Sequence, residues 1–292
     1  MNSRRDFIRN LGMVTAGVAM APSLDLFAAK KSWFEISLAQ WSLHKTLFKG
    51  DLKNIDFPQF TAEKFGIYGV EYVNQFFKDK ANDMTYLKDL KNRAKSSGVK
   101  NVLIMVDGEG ELGNDDNSKR LKAVENHYKW IDAANFLGCT SIRVNAAGKG
   151  TKEEVAKRVV ESLSTLADYG KKGKINVIVE NHGGISSHGD WLAGVLKSVG
   201  KKNCGSLPDF GNFYEYDRYQ GVMDLMPYAK GVSAKSNVFD ANGNERNIDY
   251  DRMMKIVKDA KYKGYVGIEY EGSELSEIDG ILATKKLLER YK

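Results

Sequence analysis

The sequence predicts an α/β protein, a (β/α)8 TIM barrel in a single domain, and three observations support that fold. Short apolar runs typical of strands alternate with helical segments along the chain. Three of these runs end in a carboxylate, at intervals of about thirty and about sixty residues, and repeated βα units bring such strand ends to one mouth of a barrel. The 292 residues include 4 Pro and no low-complexity block after residue 31, so nothing divides the chain.

Eight candidate strands can be identified from runs rich in apolar and β-branched residues. They cover residues 34–40, 69–74, 101–107, 141–146, 176–181, 205–210, 231–235 and 265–270. We expect a helix between each pair of neighbours. An open doubly wound sheet is the alternative, but no G-x-G-x-x-G follows the first strand, which disfavours a dinucleotide-binding sheet.

Helix boundaries carry signals of their own. Asp83 suits an N-cap, and Thr151 with Glu154 forms a capping box. Gly170 and Gly173 are candidate stops at the far end of the helix that this box opens. A further helix is predicted over 118–137 from apolar residues at helical spacing. Its expected buried face consists of Leu121, Val124, Tyr128, Ile131 and Ala134.

The N-terminus has the three-part layout of an export signal. Paired arginines, Arg4 and Arg5, precede Phe7, and an apolar stretch over 11–20 leads to small residues at Ala28 and Ala29. This arrangement resembles a twin-arginine signal. We therefore expect residues 1–30 to be a signal segment, residues 31–292 to be the barrel, and the protein to be periplasmic or otherwise exported by that route. The apolar stretch is too short to span a bilayer.

Charge gives little support for a polyanionic partner. The formal net charge is +6, and it falls to +4 without residues 1–30, which hold four basic and two acidic residues. The lysines are spread over the helices and form no basic stripe, so we expect no nucleic acid partner. Cys139 and Cys204 belong to non-adjacent predicted strands, so two buried thiols are expected in preference to a disulfide.

The candidate site residues are acids that end apolar strands. Glu180 ends Val-Ile-Val-Glu and is followed by His182, two residues on and therefore on the same side of the strand. Asp209 follows Leu-Pro, and Glu269 ends Val-Gly-Ile-Glu. A charged residue that ends a buried strand needs partners, which indicates a ligand or acid/base role. Glu271 could bind substrate hydroxyls or be solvated.

Three motifs carry a resemblance to a known family. Val-Glu-Asn-His-Gly-Gly at 179–184, Pro-Asp-Phe-Gly-Asn at 208–212 and Gly-Ile-Glu-Tyr-Glu-Gly at 267–272 are similar to the xylose isomerase-like TIM barrel superfamily, the sugar phosphate isomerase/epimerase family. The likeness extends from about residue 33 to the C-terminus. That superfamily also contains dehydratases, lyases and a DNA-repair nuclease. The resemblance implies a divalent metal, Mn, Mg, Zn or Co, bound by Glu180, Asp209, a seventh-strand histidine and Glu269.

The seventh strand departs from that pattern. Ser233 stands where the histidine is expected, and all four histidines precede this strand. Lys235 lies on the same face as Ser233 and would bring a positive charge to the carboxylates. Three outcomes stay open: an oxygen-rich metal site completed by water, recruitment of His182 as a ligand, or a site in which the Lys235 ammonium is the electrophile.

The remaining strand ends would complete a pocket for a polyol. Trp41, Glu71, Asn145, His182 and Glu271 are the candidate substrate-binding residues, while Glu180, Glu269 and Lys235 are the candidate catalytic ones. The sequence shows no basic cluster for a phosphate. We therefore expect an exported isomerase or epimerase that removes a proton α to a carbonyl of a non-phosphorylated sugar or keto-sugar.

The alternatives are a lyase or hydratase on 3-keto-sugars through the same enediolate, or a non-catalytic sugar-binding barrel. The expected partner is a small-molecule carbohydrate, without a membrane span. A homo-oligomer stays open.

Overall fold

The computed structural model describes residues 32–292, and these form the predicted barrel of alternating strands and helices. The strands are β1 Glu35–Ala39, β2 Gly69–Val73, β3 Lys100–Met105, β4 Ser141–Val144, β5 Asn176–Glu180, β6 Cys204–Leu207, β7 Val232–Ser236 and β8 Tyr265–Tyr270. The helices are α1 His44–Lys49, α2 Phe57–Phe65, α3 Met84–Ser96, α4 Asn117–Leu137, α5 Lys152–Lys172, α6 Gly189–Val199, α7 Arg218–Leu225, α8 Tyr250–Asp259 and α9 Glu277–Glu289. The expected signal segment lies outside the described residues.

All eight strands are parallel neighbours in one sheet, in the order β6-β5-β4-β3-β2-β1-β8-β7. The first strand pairs with both β2 and β8, as a closed cylinder requires. The remaining seam, between β6 and β7, closes through isolated parallel bridges that join Ser206 to Ala229 and Asp209 to Ser233. The fold is therefore a (β/α)8 barrel, and the open doubly wound alternative is wrong.

The end of β6 shows how side chains replace the ladder at the barrel mouth. Pro208 has no N–H to donate, and the ladder stops at Leu207, three residues before the predicted end. The Asn181 side chain then pairs with the Asp209 backbone, since its amide donates to the Asp209 carbonyl at 3.0 Å and its oxygen accepts from the Asp209 N–H at 2.8 Å. This clamp fixes Asp209 beside the end of β5.

Helix termini follow the predicted chemistry with one correction. The Asp83 side chain accepts from the Tyr86 N–H at 3.0 Å, and the Thr151 capping box is complete; such caps stabilise by about 1 kcal/mol each. Gly173 ends α5, but Gly170 lies inside it and stops nothing. A Cβ at Gly170 would come within 2.8 Å of the Ile175 carbonyl oxygen, so this glycine serves the close return of the chain to β5.

The buried face of α4 differs from the prediction. Leu121 is 60% exposed, whereas His127, Trp130 and Ala134 are buried. The polar His127 obscured this face in the sequence because its Nδ1 is satisfied locally, 2.7 Å from the Ala123 carbonyl oxygen. The helix is therefore rotated relative to the expected stripe.

The core has two layers, as expected for this fold. A small cluster fills the barrel interior, and a larger one packs the helices on the outer strand faces. Cys139 and Cys204 are both buried free thiols, which confirms the expectation that no disulfide joins them. Within residues 32–292, no helix is long and apolar enough to cross a membrane.

Candidate functional site

A cavity of about 430 Å³ opens at the C-terminal ends of the strands. This is the end of a barrel at which parallel strands and their following loops bring polar side chains together. The residues that line it are Trp41, Val73, Gln75, Asp107, Arg143, His182, Asn212, Tyr214, Lys235, Glu269 and Glu271.

Three buried carboxylates meet at this mouth, as the resemblance implied. Glu180, Asp209 and Glu269 each place an oxygen within 4.8 Å of the other two. Among the described residues, this is the one group of His, Cys, Asp or Glu side chains with the spacing of a metal site. His182 lines the cavity but does not belong to the group.

The turn after β6 aims Asp209. Its Oδ1 accepts from the backbone N–H groups of Gly211 and Asn212, both at 2.8 Å. Its Oδ2 is thereby left to face Ser233, whose Oγ lies 2.7 Å away. The same Oγ lies 3.1 Å from Oε2 of Glu269, so the Ser233 hydroxyl bridges two of the three carboxylates at the position where a histidine was expected.

Lys235 is buried in the site and is not a surface lysine. Its Nζ lies 2.8 Å from Glu269 Oε1, 2.7 Å from Glu271 Oε2 and 4.0 Å from Asp209 Oδ2. Gly211 makes room for the aliphatic stem, since a Cβ there would stand 2.5 Å from the Lys235 Cγ. The lysine charge is thus delivered to the carboxylate cluster.

Arg143 supplies the second cation. Its Nη1 lies 2.6 Å from Asp107 Oδ1, and its Nε lies 2.9 Å from Glu180 Oε2. The second contact is out of line for a hydrogen bond, and Glu180 Oε2 has no hydrogen-bond partner among the described residues. Glu180 Oε1 accepts only a long bond, 3.2 Å, from the Asn212 amide.

These contacts shift the pKa values of the two glutamates in opposite directions. Burial favours the neutral form of Glu269, but the adjacent Lys235 ammonium outweighs it and holds the pKa of Glu269 below its usual value. Burial raises the pKa of Glu180 well above its usual value, because Arg143 offsets the penalty only in part and the nearby carboxylates add to it. Burial likewise raises the pKa of Asp209 to about 6. Lys235 thus favours the ionised form of Glu269, whereas burial favours the protonated form of Glu180.

Lys235 stays charged in its buried position. Burial alone would lower its pKa, but Asp209, Glu269 and Glu271 around it raise the pKa above the usual value. Lys235 is therefore a fixed positive charge at the cavity wall.

Trp41, His182 and Glu271 stand in the cavity wall, as predicted for substrate-binding residues. The Trp41 indole N–H donates to Glu271 Oε1, so the acid that could have been solvated is held by Trp41 and Lys235. Burial lowers the pKa of His182, with Arg143 adding to the effect, so its imidazole is neutral near pH 7.

Glu71 and Asn145 lie outside the cavity lining, in contrast to the expectation. The Glu71 carboxyl turns into the barrel, where Oε1 accepts from the Ser37 hydroxyl at 2.5 Å and Oε2 has no hydrogen-bond partner among the described residues. Gly267 leaves the space for it, since a Cβ there would meet the carboxylate at 2.5 Å. Burial raises the pKa of Glu71 to about 7. Asn145 donates to Asp107 Oδ1 at 2.7 Å and so positions that acid.

The sequence reasoning missed four cavity residues and misjudged a fifth. Asn212 stood in a quoted motif without a role, and Tyr214, Gln75 and Val73 were not singled out. For Arg143 the sequence indicated no acid partner, whereas in the structure it pairs with two acids. Among these residues, only Asn212 could have been recognised from the sequence. It follows the strand-ending Asp209 by three residues, and an amide at that spacing can reach the end of the neighbouring strand, where Glu180 lies.

The ligand set fits a divalent cation. Three carboxylates and a hydroxyl converge, and the buried Glu180 Oε2 lacks a hydrogen-bond partner within the described part of the chain. Like charges converge in a core when a cation is available to them. Lys235 and Arg143 offset part of that charge from the side, so a metal would share the carboxylates with them.

Comparisons with known proteins agree with this architecture. The family model described as "Xylose isomerase-like TIM barrel" matches residues 61–291, and a comparison with curated proteins finds no match. The structure is similar to a zinc-bound IolI protein, with a TM-score of 0.71, 15% identity and coverage of 88% of this chain and 98% of that one.

Two further solved structures share the fold. A D-psicose 3-epimerase, determined in the presence of D-fructose, gives a TM-score of 0.69 at 13% identity and covers 88% of this chain and 99% of its own. A probable 3-DHS dehydratase from Bacillus anthracis gives 0.68 at 18% identity, with the same coverage of 88% and 99%. Since the family model spans most of the sequence, the chain belongs to the xylose isomerase-like TIM barrel family.

Proposed function

We propose that the protein is an exported sugar isomerase or epimerase that removes a proton α to a carbonyl of a non-phosphorylated sugar or keto-sugar. The observation that carries the proposal is the pairing of two glutamates whose pKa values shift in opposite directions: Lys235 outweighs burial and lowers the pKa of Glu269, which lines the cavity, whereas burial raises the pKa of Glu180, which contacts the cavity residue Asn212. Carboxyl groups whose pKa values are pushed apart can serve as a base and an acid in the same reaction.

Glu269 is the base in this mechanism. Its carboxylate lines the cavity and takes the proton from the carbon next to the substrate carbonyl. The C–H electron pair becomes the C=C bond of an enediolate, and the negative charge moves to the carbonyl oxygen. Lys235, 2.8 Å from Glu269 Oε1, is placed to stabilise that charge.

Glu180 is the acid. Asn212 lies between it and the cavity, and substrate entry turns that amide aside so that the Glu180 proton passes to the enediolate oxygen. The enediol then returns a hydroxyl proton to Glu180 and receives the carbon-bound proton from Glu269 at the neighbouring carbon. Both glutamates finish in their starting states, and the product is the isomer of the substrate.

The spacing of the two acids favours isomerisation over epimerisation. Donor and acceptor oxygens on opposite faces of one carbon would stand roughly 6–7 Å apart, because reacting atoms approach to about 3–3.5 Å. Glu180 and Glu269 come within 4.8 Å of each other, a distance suited to proton transfer at adjacent atoms. β5 and β8 are three strands apart around the barrel, and the two side chains nevertheless converge at its mouth.

A divalent metal would be held by Glu180, Asp209 and Glu269, with the Ser233 hydroxyl as a neutral neighbour, and its binding would displace the proton of Glu180. When bound, it would supply Lewis-acid polarisation of the substrate oxygens. Oxygen-only ligand sets suit Mg²⁺ or Mn²⁺ better than Zn²⁺.

The preference for a non-phosphorylated substrate follows from the cations in the cavity. Arg143 and Lys235 line it, and both are already paired with carboxylates. A dianionic phosphate would have to compete with those acids for either cation.

A lyase or hydratase on a 3-keto-sugar is the second candidate. The same enediolate can expel a β-leaving group, and Glu180 holds the proton that a leaving oxygen requires. The similarity to a dehydratase structure agrees with this route. A non-catalytic sugar-binding barrel is the third, and it rests on Ser233 in place of a histidine.

Proton abstraction is tested by solvent exchange. A panel of aldoses, ketoses and 3-keto-glucosides is incubated with the protein in D₂O, and NMR measures loss of the α-proton signal. We expect the wild-type protein to exchange the α-proton of one member of the panel. Glu269→Gln should abolish that exchange. Glu125→Gln, a surface control at a residue that pairs with Lys122, should retain it fully. Exchange that persists in Glu269→Gln would remove Glu269 as the base.

Export is tested on the same full-length chain. Replacing both Arg4 and Arg5 by Lys should trap the precursor in the cytoplasm, because the translocon recognises that arginine pair. Unchanged export of the double variant would contradict a twin-arginine signal.

A further inference from the structure

Three aromatic side chains form a rim beside the active-site cavity, and we call Trp41, Phe48 and Phe76 the aromatic rim. The Phe48 ring lies 6.0 Å from Trp41 and 5.0 Å from Phe76, and Trp41 lies 6.2 Å from Phe76, measured between centroids. Trp41 and Phe48 belong to the segment after β1, and Phe76 to the turn after β2. The rim therefore stands on two loops at the catalytic end of the barrel.

The rim is exposed although its side chains are large and apolar. Phe48 is 60% exposed, and Trp41 and Phe76 are partly exposed. Isolated exposed aromatics are common, but a contiguous group beside a cavity marks a binding surface. The exposed edge of Phe48 faces no other part of the described chain that would cover it.

A second cavity, of about 510 Å³, lies against the same rim. Phe48 and Phe76 form part of its wall together with Leu47, Leu52 and Ile55. Gln75 borders this cavity and the active-site cavity alike, so the two are neighbours separated at that side chain.

The rim is held rigid on its active-site side. His44 stacks on Trp41 with ring centroids 4.9 Å apart, and the His44 Nδ1 lies 2.8 Å from the Trp41 carbonyl oxygen. The Trp41 indole N–H donates to Glu271. A ring that packs against Trp41 and Phe48 thus meets a surface that loses little entropy on binding.

We propose that the aromatic rim is a subsite for an aromatic aglycone, so that the substrate is an aryl keto-glycoside whose keto-sugar ring occupies the active-site cavity. This deepens the proposed function and rests on it for the placement of the sugar. The apolar character of Phe48 and Phe76 favours an aromatic ring over a second sugar, which would need hydrogen-bond partners. Offset or edge-to-face contacts between aromatic rings add about 0.5–1.5 kcal/mol beyond the area that they bury.

The test compares matched glycosides by isothermal titration calorimetry. Phenyl and methyl glycosides of D-glucose, D-galactose and D-xylose, in both anomers, are titrated into the wild-type protein as analogues that lack the keto group and therefore bind without reacting. In at least one pair, we expect the phenyl glycoside to bind about tenfold more tightly than the methyl glycoside, which corresponds to about 1.4 kcal/mol. The disaccharide cellobiose is included as a probe of a second sugar.

Variants of the aromatic rim test whether the preference for phenyl glycosides arises there. Phe48→Ala should remove most of the phenyl preference and leave methyl glycoside affinity unchanged. The matched control is Tyr68→Ala, because Tyr68 is 57% exposed and precedes β2 at the opposite end of the barrel. It should leave both affinities unchanged.

Several results would overturn the proposal. The first is equal affinity for the phenyl and methyl glycosides in every pair. The second is a preference for phenyl glycosides that survives in both Phe48→Ala and Phe76→Ala. The third is tighter binding of cellobiose than of any phenyl glycoside. A retained phenyl preference with no α-proton exchange in any substrate would contradict the catalytic proposal and leave the aglycone subsite standing.

Discussion

Two cation–carboxylate pairs meet at the barrel mouth and behave differently. Lys235 approaches Glu269 in line at 2.8 Å and keeps it ionised. Arg143 approaches Glu180 at a similar 2.9 Å, but out of line for a hydrogen bond, and gives its Nη1 to Asp107. Burial then prevails at Glu180 and raises its pKa. A nearby cation therefore does not by itself ionise a buried acid, and the alignment of the contact matters, since Lys235 contacts three acids and Arg143 only two.

The largest effect is expected from Glu180→Gln. The amide keeps the shape of the side chain but cannot pass a proton, so kcat should fall by about 10²–10⁴, the usual contribution of general acid catalysis. Thermal unfolding should be little changed, because burial favours the uncharged form of Glu180 and the amide is uncharged as well. Retention of more than about a tenth of the activity, a barrier change below ~1.4 kcal/mol, would remove Glu180 from catalysis.

The next effect is expected from Lys235→Met, which removes the aligned cation. The rate should fall about 10²–10³-fold, the size typical of one lost electrostatic contact in an active site. Glu269 must be ionised to act as the base, and without Lys235 its pKa rises. The acidic limb of kcat/KM against pH should therefore move to higher pH, whereas Lys201→Met, which removes a surface ion pair, should leave it in place.

A smaller effect is expected from Ser233→His. It is measured as the affinity for a divalent metal by calorimetry. Imidazole is a better ligand than a neutral hydroxyl for Mn or Zn, so binding should tighten by roughly tenfold or more. Ser233→Ala serves as the control, since it removes the hydroxyl and adds no ligand. Equal affinities in wild type and Ser233→His would show that residue 233 does not face the metal position.

The smallest effect is expected from Asp107→Asn, which makes the two pairs more alike. Arg143 would then have Glu180 as its main carboxylate partner, and the pKa of Glu180 should fall. Because the acid must be protonated, the alkaline limb of kcat against pH should move to lower pH by on the order of one unit, with the maximal rate changed less than about tenfold. The surface variant Asp168→Asn should not move the limb; an unmoved limb in Asp107→Asn would contradict charge sharing.

The sequence predicted the strands and the strand-ending acids because both depend on local pattern. Apolar runs fixed the eight strands, and Glu180, Asp209 and Glu269 stood out because each ends one. Repetition of the βα unit then placed them at one mouth, which the closed sheet confirms.

The sequence could not predict contacts that depend on neighbours far along the chain. Glu71 turns away from the cavity because Gly267, on another strand, leaves space below it. Lys235 is buried because Gly211 admits its stem. The roles of Arg143 follow from the register that sets β4 beside β5, and no local pattern records that register.

The seam between β6 and β7 gives the site a mechanical consequence. It is bridged at two isolated points, one of which joins Asp209 to Ser233, whereas every other seam is a ladder of several paired residues, with one register shift between β2 and β3. Backbone amides along this seam should exchange with solvent sooner than those of the ladders, since breathing motions open the sparsest bonding first. A ligand that binds both Asp209 and Glu269 would link the strands on the two sides of this seam. Occupancy of the site should therefore slow amide exchange along the seam and raise the melting temperature of the whole barrel.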